Sequence, residues 1–136
     1  MSIKTHYSLL FYQEHIEKTR ETIAILTPEY LSSFDKVMES KKEHQCNMFI
    51  MKKELVAEYC NWLFPIITTM REKIDYKEYT AFHKRFPGRI SERLLDVWLD
   101  RNSITYTELD LYYPEGSRII VRVLNLIEAV LTKKIK

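Results

Sequence analysis

Leu55-Val56-Ala57-Glu58-Tyr59-Cys60-Asn61-Trp62-Leu63-Phe64-Pro65-Ile66-Ile67-Thr68-Thr69-Met70 decides the fold class. Leu55, Val56, Tyr59, Trp62, Leu63, Ile66, Ile67 and Met70 make one apolar row at helical spacing, and Ile74 continues it. That period predicts an amphipathic helix with a continuous buried stripe. Pro65 sits inside the row, where its ring removes a backbone donor and crowds the preceding turn. A kink or break is therefore expected near Asn61 to Pro65.

Upstream of this helix, Cys46-Asn47-Met48-Phe49-Ile50-Met51 is a short apolar run bounded by charge and reads as a buried strand. Before it, Leu31, Phe34, Val37 and Met38 mark a helix that ends in Glu39-Ser40-Lys41-Lys42-Glu43. Thr27-Pro28 predicts its start, since Thr caps helices and Pro suits the first helical position. The segment from about Tyr7 to Leu26 is loosely patterned at first and more helical from Glu14 onward.

Downstream, Asp75-Tyr76-Lys77-Glu78 has the spacing of a capping box that opens a short helix. Phe86-Pro87-Gly88 reads as a turn, after which Ser91 caps a helix over about Glu92 to Arg101 with Leu94, Leu95, Trp98 and Leu99 inward. Ile104-Thr105-Tyr106 reads as a second short strand, Tyr112 to Gly116 as a loop, and about Ser117 to Lys134 as a terminal helix. The expected class is mainly α with one or two short strands, in a single domain over residues 1–136.

Composition narrows the function classes. With 21 basic and 19 acidic side chains the net charge is +2, which argues against a general nucleic-acid binder. The two glycines, Gly88 and Gly116, permit neither of the glycine-rich phosphate loops. Cys46 and Cys60 are the only cysteines and are expected to be reduced and packed as small apolar groups. The first residues carry no charged-then-apolar leader, so a cytoplasmic setting is expected. No apolar stretch reaches the ~18 residues that span a bilayer.

His6, His15, His44 and His83 show no zinc-type spacing, and His44-x-Cys46 lacks a second pair, so no metal or other cofactor is expected in this chain. The most suggestive stretch is Phe86 to Leu94. A turn there would deliver Glu92 to the first turn of a helix beside Arg89 and Arg93, and the free N–H groups with the arginines would suit a phosphate or carboxylate. The plainer reading is that Glu92 complements the helix dipole and pairs with a neighbouring arginine. Asp96 and Asp100 follow at successive turns as a solvated row. Tyr76, Tyr79, Phe82 and Phe86, with nearby Lys77, Lys84 and Arg85, either stack on a sugar or cover the long helix as a lid. The terminal helix, with Lys133, Lys134 and Lys136, either rests on an anionic membrane or packs with a basic last turn.

Asn47 to Leu55, Glu58 to Phe64 and Ser91 to Leu99, preceded in order by His6-Tyr7 and Thr27-Pro28-Glu29-Tyr30, together resemble a bacterial family of capsular and exopolysaccharide synthesis. That family carries the label of a domain of unknown function and is regarded as a glycosyltransferase. The resemblance covers roughly residues 5 to 107. It implies the C-terminal part of a GT-A-like α/β domain that moves a sugar from a nucleotide-sugar donor to a saccharide acceptor. The nucleotide-binding N-terminal half, and the divalent metal held with the donor, would lie elsewhere, so this chain would not be competent alone. By the same resemblance Glu92 is the catalytic carboxylate, orienting the acceptor hydroxyl or stabilising charge at the anomeric carbon. Asn47 would bond the sugar, and Arg93, with Arg89 nearby, would steady the diphosphate or Glu92. The sequence departs from the family where Arg89 and Ile90 replace two apolar residues and where Pro65 interrupts the helix. A second reading is a non-catalytic helical interaction module descended from such an enzyme. If the Leu55 to Met70 stripe lacked a covering half, the chain would self-associate.

Overall fold

The computed structural model describes residues 1–44, 46–110, 127 and 130–133. Five α-helices organise them: α1 (Ile3–Leu10), α2 (Glu14–Leu26), α3 (Leu31–Glu39), α4 (Lys53–Glu72) and α5 (Phe86–Arg101). Short 3-10 turns over Pro28–Tyr30 and His83–Arg85 lead into α3 and α5. Helix α2 packs on α4, α3 packs on α5, and α4 and α5 meet each other, so α5 is enclosed by the bundle.

Helix α4 forms because its apolar row has one place to go. Tyr59, Trp62, Leu63, Ile66 and Met70 are all buried, and Ile74 just beyond the helix is buried too. Each such side chain contributes about 1.5–3 kcal/mol on leaving water. That exceeds the cost of keeping Pro65 inside the helix, and α4 runs unbroken from Lys53 to Glu72. Of the kink or break expected near Pro65 the break does not occur, and most of the Leu55 to Met70 stripe is covered within the chain. Helix α5 buries Phe86, Ile90, Arg93, Leu94, Leu95, Val97, Trp98 and Leu99, nearly its whole circumference.

The mainly helical class holds, but the two expected strands are corrected. Among the described residues there is no strand. Cys46 and Asn47 turn the chain with φ of 77° and 46°, left-handed conformations that a strand excludes. Met48, Phe49 and Ile50 follow in irregular, exposed backbone, with Ile50 95% exposed. An apolar run becomes a strand only where another strand supplies hydrogen-bond partners, and none adjoins it among the described residues. Ile104 to Tyr106 likewise runs without ladder partners among the described residues, after a left-handed Ser103 at φ 51°. Both cysteines are free thiols; Cys46 is exposed rather than packed as expected, and Cys60 is half-buried.

Other boundaries move for local reasons. The first segment divides into α1 and α2 at Phe11 to Gln13, and Ser2 caps α1 by accepting from the Thr5 N–H at 3.3 Å. Pro28 opens its turn as expected, but the Thr27 hydroxyl makes no cap there. Asp75 makes a local turn, accepting from the Lys77 N–H at 3.3 Å, and residues 75–82 contain no α-helix. The expected Tyr112 to Gly116 loop lies outside the described residues, and so does most of the expected terminal helix. Lys133 Nζ does donate to the Ser8 carbonyl at 2.5 Å. No helix among the described residues is long and apolar enough to cross a membrane.

Candidate functional site

Helix α5 begins at Phe86, with Pro87 in its first turn, rather than after Ser91. Pro87 is therefore the helix opener and not part of a preceding turn. Glu92 consequently sits in the second turn of α5, where backbone N–H groups are already committed inside the helix. The expected anion site of free N–H groups beside Glu92 does not form.

Asn47 and Tyr59 reach this stretch from other parts of the chain. Asn47 Nδ2 donates to Ser91 Oγ at 2.9 Å, and Ser91 Oγ donates to the Gly88 carbonyl at 2.7 Å. Tyr59 OH, from α4, donates to the Ser91 carbonyl at 3.3 Å. Asn47 thus reaches the site from a left-handed turn, not from a strand. Its φ is one that asparagine tolerates better than most residues.

The two arginines part company. Arg89 Nη1 donates to the Phe82 carbonyl at 2.6 Å, and its guanidinium lies 4.4 Å from the Phe11 ring centre and 4.1 Å from that of Phe82. Burial lowers its pKa from the ordinary arginine value. Arg93 is nearly closed to solvent. Its Nη1 donates to the Arg89 carbonyl at 2.6 Å, Nη2 to Glu43 Oε1 at 3.3 Å, and its guanidinium lies over Tyr7 at 5.0 Å. Arg93 Nη1 also stands 3.5 Å from Glu92 Oε2. Of the two contacts expected of Arg93, the one to Glu92 is geometrically present. The Glu92 carboxylate keeps 27% of its side-chain surface open.

Two of the four aromatic side chains turn inward, toward the start of α2. Tyr79 and Phe86 are buried, Tyr79 stacking on Tyr12 at 4.5 Å and Phe86 on His15 at 4.5 Å. His15 itself is enclosed, bonded through Nδ1 to Tyr7 OH at 2.9 Å and through Nε2 to Tyr79 OH at 3.2 Å.

A second cluster, unexpected from the sequence, lies further along α5. Asp96 faces His44 rather than water, with Nδ1 of His44 2.5 Å from Oδ1. The row of Asp96 and Asp100 is not a solvated face, because Asp100 pairs with Lys36 and both carboxylates are largely covered. No spacing in the chain signals the His44–Asp96 pair, whose members are 52 residues apart. They line an open cleft of about 1140 Å³. Among the described residues no group of three His, Cys, Asp or Glu is arranged to hold a metal ion.

Residues 1–103 match the family described as Domain of unknown function (DUF4422). The chain belongs to this family. No curated protein and no solved structure matches the chain. The DUF4422 match spans all five helices and contains Asn47, Arg89, Glu92 and Arg93, as well as the His44–Asp96 pair.

Proposed function

We propose that this DUF4422 chain is the acceptor-side, C-terminal part of a GT-A-like glycosyltransferase domain, acting in capsular or exopolysaccharide synthesis. The observation that supports this reading is the meeting of sequence blocks at one point. Asn47 from the first block, Tyr59 from the second and Ser91 from the third share hydrogen bonds at Ser91. The earlier blocks join the same assembly, Tyr7 beneath Arg93 and Tyr30 stacked on Trp62 at 4.6 Å. Residues far apart in sequence thus brace the turn of α5 that presents Glu92.

In this reading Glu92 orients the acceptor hydroxyl or stabilises positive charge developing at the anomeric carbon. Arg93, itself braced by Glu43, holds the Glu92 carboxylate from the buried side. Asn47 and Ser91 lie beside it at the surface, where a sugar would meet them. The nucleotide sugar, and a divalent metal with it, belong to a nucleotide-binding half that works together with this chain.

The test is reconstitution. The chain is combined with a Rossmann-like half encoded in the adjoining DNA, and sugar transfer to a saccharide is followed. Glu92→Gln should then lower kcat by at least about tenfold, whereas turnover within about threefold of the parent would rule out the catalytic role. A non-catalytic interaction module is the second reading, favoured by the exposed apolar run Met48 to Ile50. It gains if no adjoining half exists and no saccharide binds.

A further inference from the structure

Asp96 holds His44 at two points. The His44 backbone N–H donates to Oδ2 at 2.9 Å while Nδ1 meets Oδ1 at 2.5 Å. A carboxylate only accepts, so Nδ1 carries the proton and Nε2 is left as the ring's acceptor in the neutral form. Because backbone and ring are gripped together, the imidazole is fixed in both position and tautomer. Its edge meets the Tyr106 ring at 5.0 Å, and Glu108 Oε1 lies 3.5 Å from Nε2 on a largely exposed side chain. The ring itself is about one-third open.

The pair lies on the wall of the cleft, with Lys36, Lys41, Lys42 and Asp100 among the surrounding groups. At about 1140 Å³ the cleft is wide and open, and its wall mixes polar groups with apolar ones in nearly equal measure. An open cleft of mixed character with several charged groups suits an extended ligand that carries both hydroxyls and apolar ring faces, as a saccharide does. A histidine oriented by a largely covered carboxylate is the arrangement that removes a proton from a hydroxyl. The carboxylate fixes the tautomer and stabilises the imidazolium that forms.

We propose that His44, positioned by Asp96, is the proton acceptor for a saccharide hydroxyl bound in this cleft. The assignment of that substrate rests on the sugar-transfer reading above. In the step, the hydroxyl oxygen forms a bond to the anomeric carbon of the nucleotide sugar. The bond from that carbon to the diphosphate breaks, its electron pair leaving with the nucleotide diphosphate, and the hydroxyl proton passes to His44 Nε2. Asp96 and Glu108 then face the resulting imidazolium. Hydrogen bonding to Asp96, opposed by partial burial and assisted by the charges of Asp96 and Glu108, raises the His44 pKa from the ordinary histidine value. A stronger base than free imidazole is the consequence.

The experiment uses the intact chain and p-nitrophenyl acetate, an ester that reports accessible, basic imidazoles without any sugar. Hydrolysis should rise with pH through the His44 titration. His44→Gln should lower the rate about fivefold or more. Asp96→Asn should move the inflection to lower pH. A His44→Gln rate equal to the parent, or an unmoved inflection in Asp96→Asn, overturns the proposal. Should either variant fail to fold, nitrogen NMR of the parent ring decides. A proton on Nδ1 with Nε2 titrating supports the dyad, and the opposite tautomer sinks it. Because the ester contains no sugar, failure here leaves the Glu92 reading to its own reconstitution assay. A reactive His44 in a reconstituted pair that transfers no sugar overturns the assigned substrate instead.

Discussion

Arg93 and Glu43 form an ion pair almost closed to water, with Nε 3.2 Å from Oε2 and side-chain exposures of 5% and 9%. The pair ties the segment after α3 to the middle of α5, fifty residues on. Removing one partner leaves the other charge buried without compensation, which costs about 3–5 kcal/mol. Arg93→Ala is therefore expected to lower stability by that amount in urea unfolding. The joint replacement Arg93→Met with Glu43→Leu should recover most of the loss, because no charge then remains buried.

Tyr7 and His15 offer a second test inside the bundle. Tyr7 is fully buried and its hydroxyl bonds His15 Nδ1 at 2.9 Å. Burial also pushes the Tyr7 pKa above the ordinary tyrosine range, so the hydroxyl stays neutral at any working pH. Tyr7→Phe preserves the ring but deprives a buried imidazole of one bond, a loss of about 1–3 kcal/mol. Urea midpoints of the two proteins measure it, and an unchanged midpoint would show that His15 does not depend on this bond.

The His44–Asp96 pair predicts a pH dependence with a definite sign. The folded His44 pKa is raised, so the pair's stabilisation is full below the unfolded value of about 6.5. It is lost as pH rises through the folded pKa. Over the range above acid denaturation, the stability gap between the parent and Asp96→Asn should be widest near pH 6 and narrow toward pH 9 (both about). Urea melts at the two pH values check the sign, and a gap that widened with pH would contradict the geometry.

Pro65 predicts a gain. It is exposed within α4, and the structure retains the helix around it. Pro65→Ala restores a backbone donor for the Asn61 carbonyl and removes a poor helix former worth up to about 3 kcal/mol. The more flexible unfolded chain offsets about 0.4–1 kcal/mol of this. A rise in thermal midpoint is expected, and a fall would mean that Pro65 fits a local geometry that alanine does not.

Much of the bundle was legible in order of residues alone. Tyr59, Trp62, Leu63, Ile66 and Met70 of the α4 row, the row Leu94, Leu95, Trp98 and Leu99 in α5, and Phe34, Val37 and Met38 in α3 became core, while Leu55, Val56 and Ile67 are half-buried. These are long segments whose apolar period repeats several times, so each repetition reinforces the same face. The site was less legible. Glu92, Arg93, Arg89 and Asn47 were singled out, yet the helix start that sets their surroundings was misplaced. Phe86-Pro87-Gly88 is compatible with a turn and with a helix opening on proline, and only packing of the buried Phe86 against His15 decides for the helix.

The sequence by itself determined a mainly helical chain, its longest helix and the side of each long helix that turns inward. Helical burial is periodic, and the period is written in neighbouring residues. Tertiary structure decided the rest. Whether Met48 to Ile50 ladders depends on an adjoining strand, Arg93 becomes a buried clamp only because Glu43 crosses over it, and Asp96 leaves the solvent only because His44 arrives. Hydrogen bonds and ion pairs between distant residues have no period to announce them. They exist only once the chain has closed on itself and removed the water that would otherwise compete.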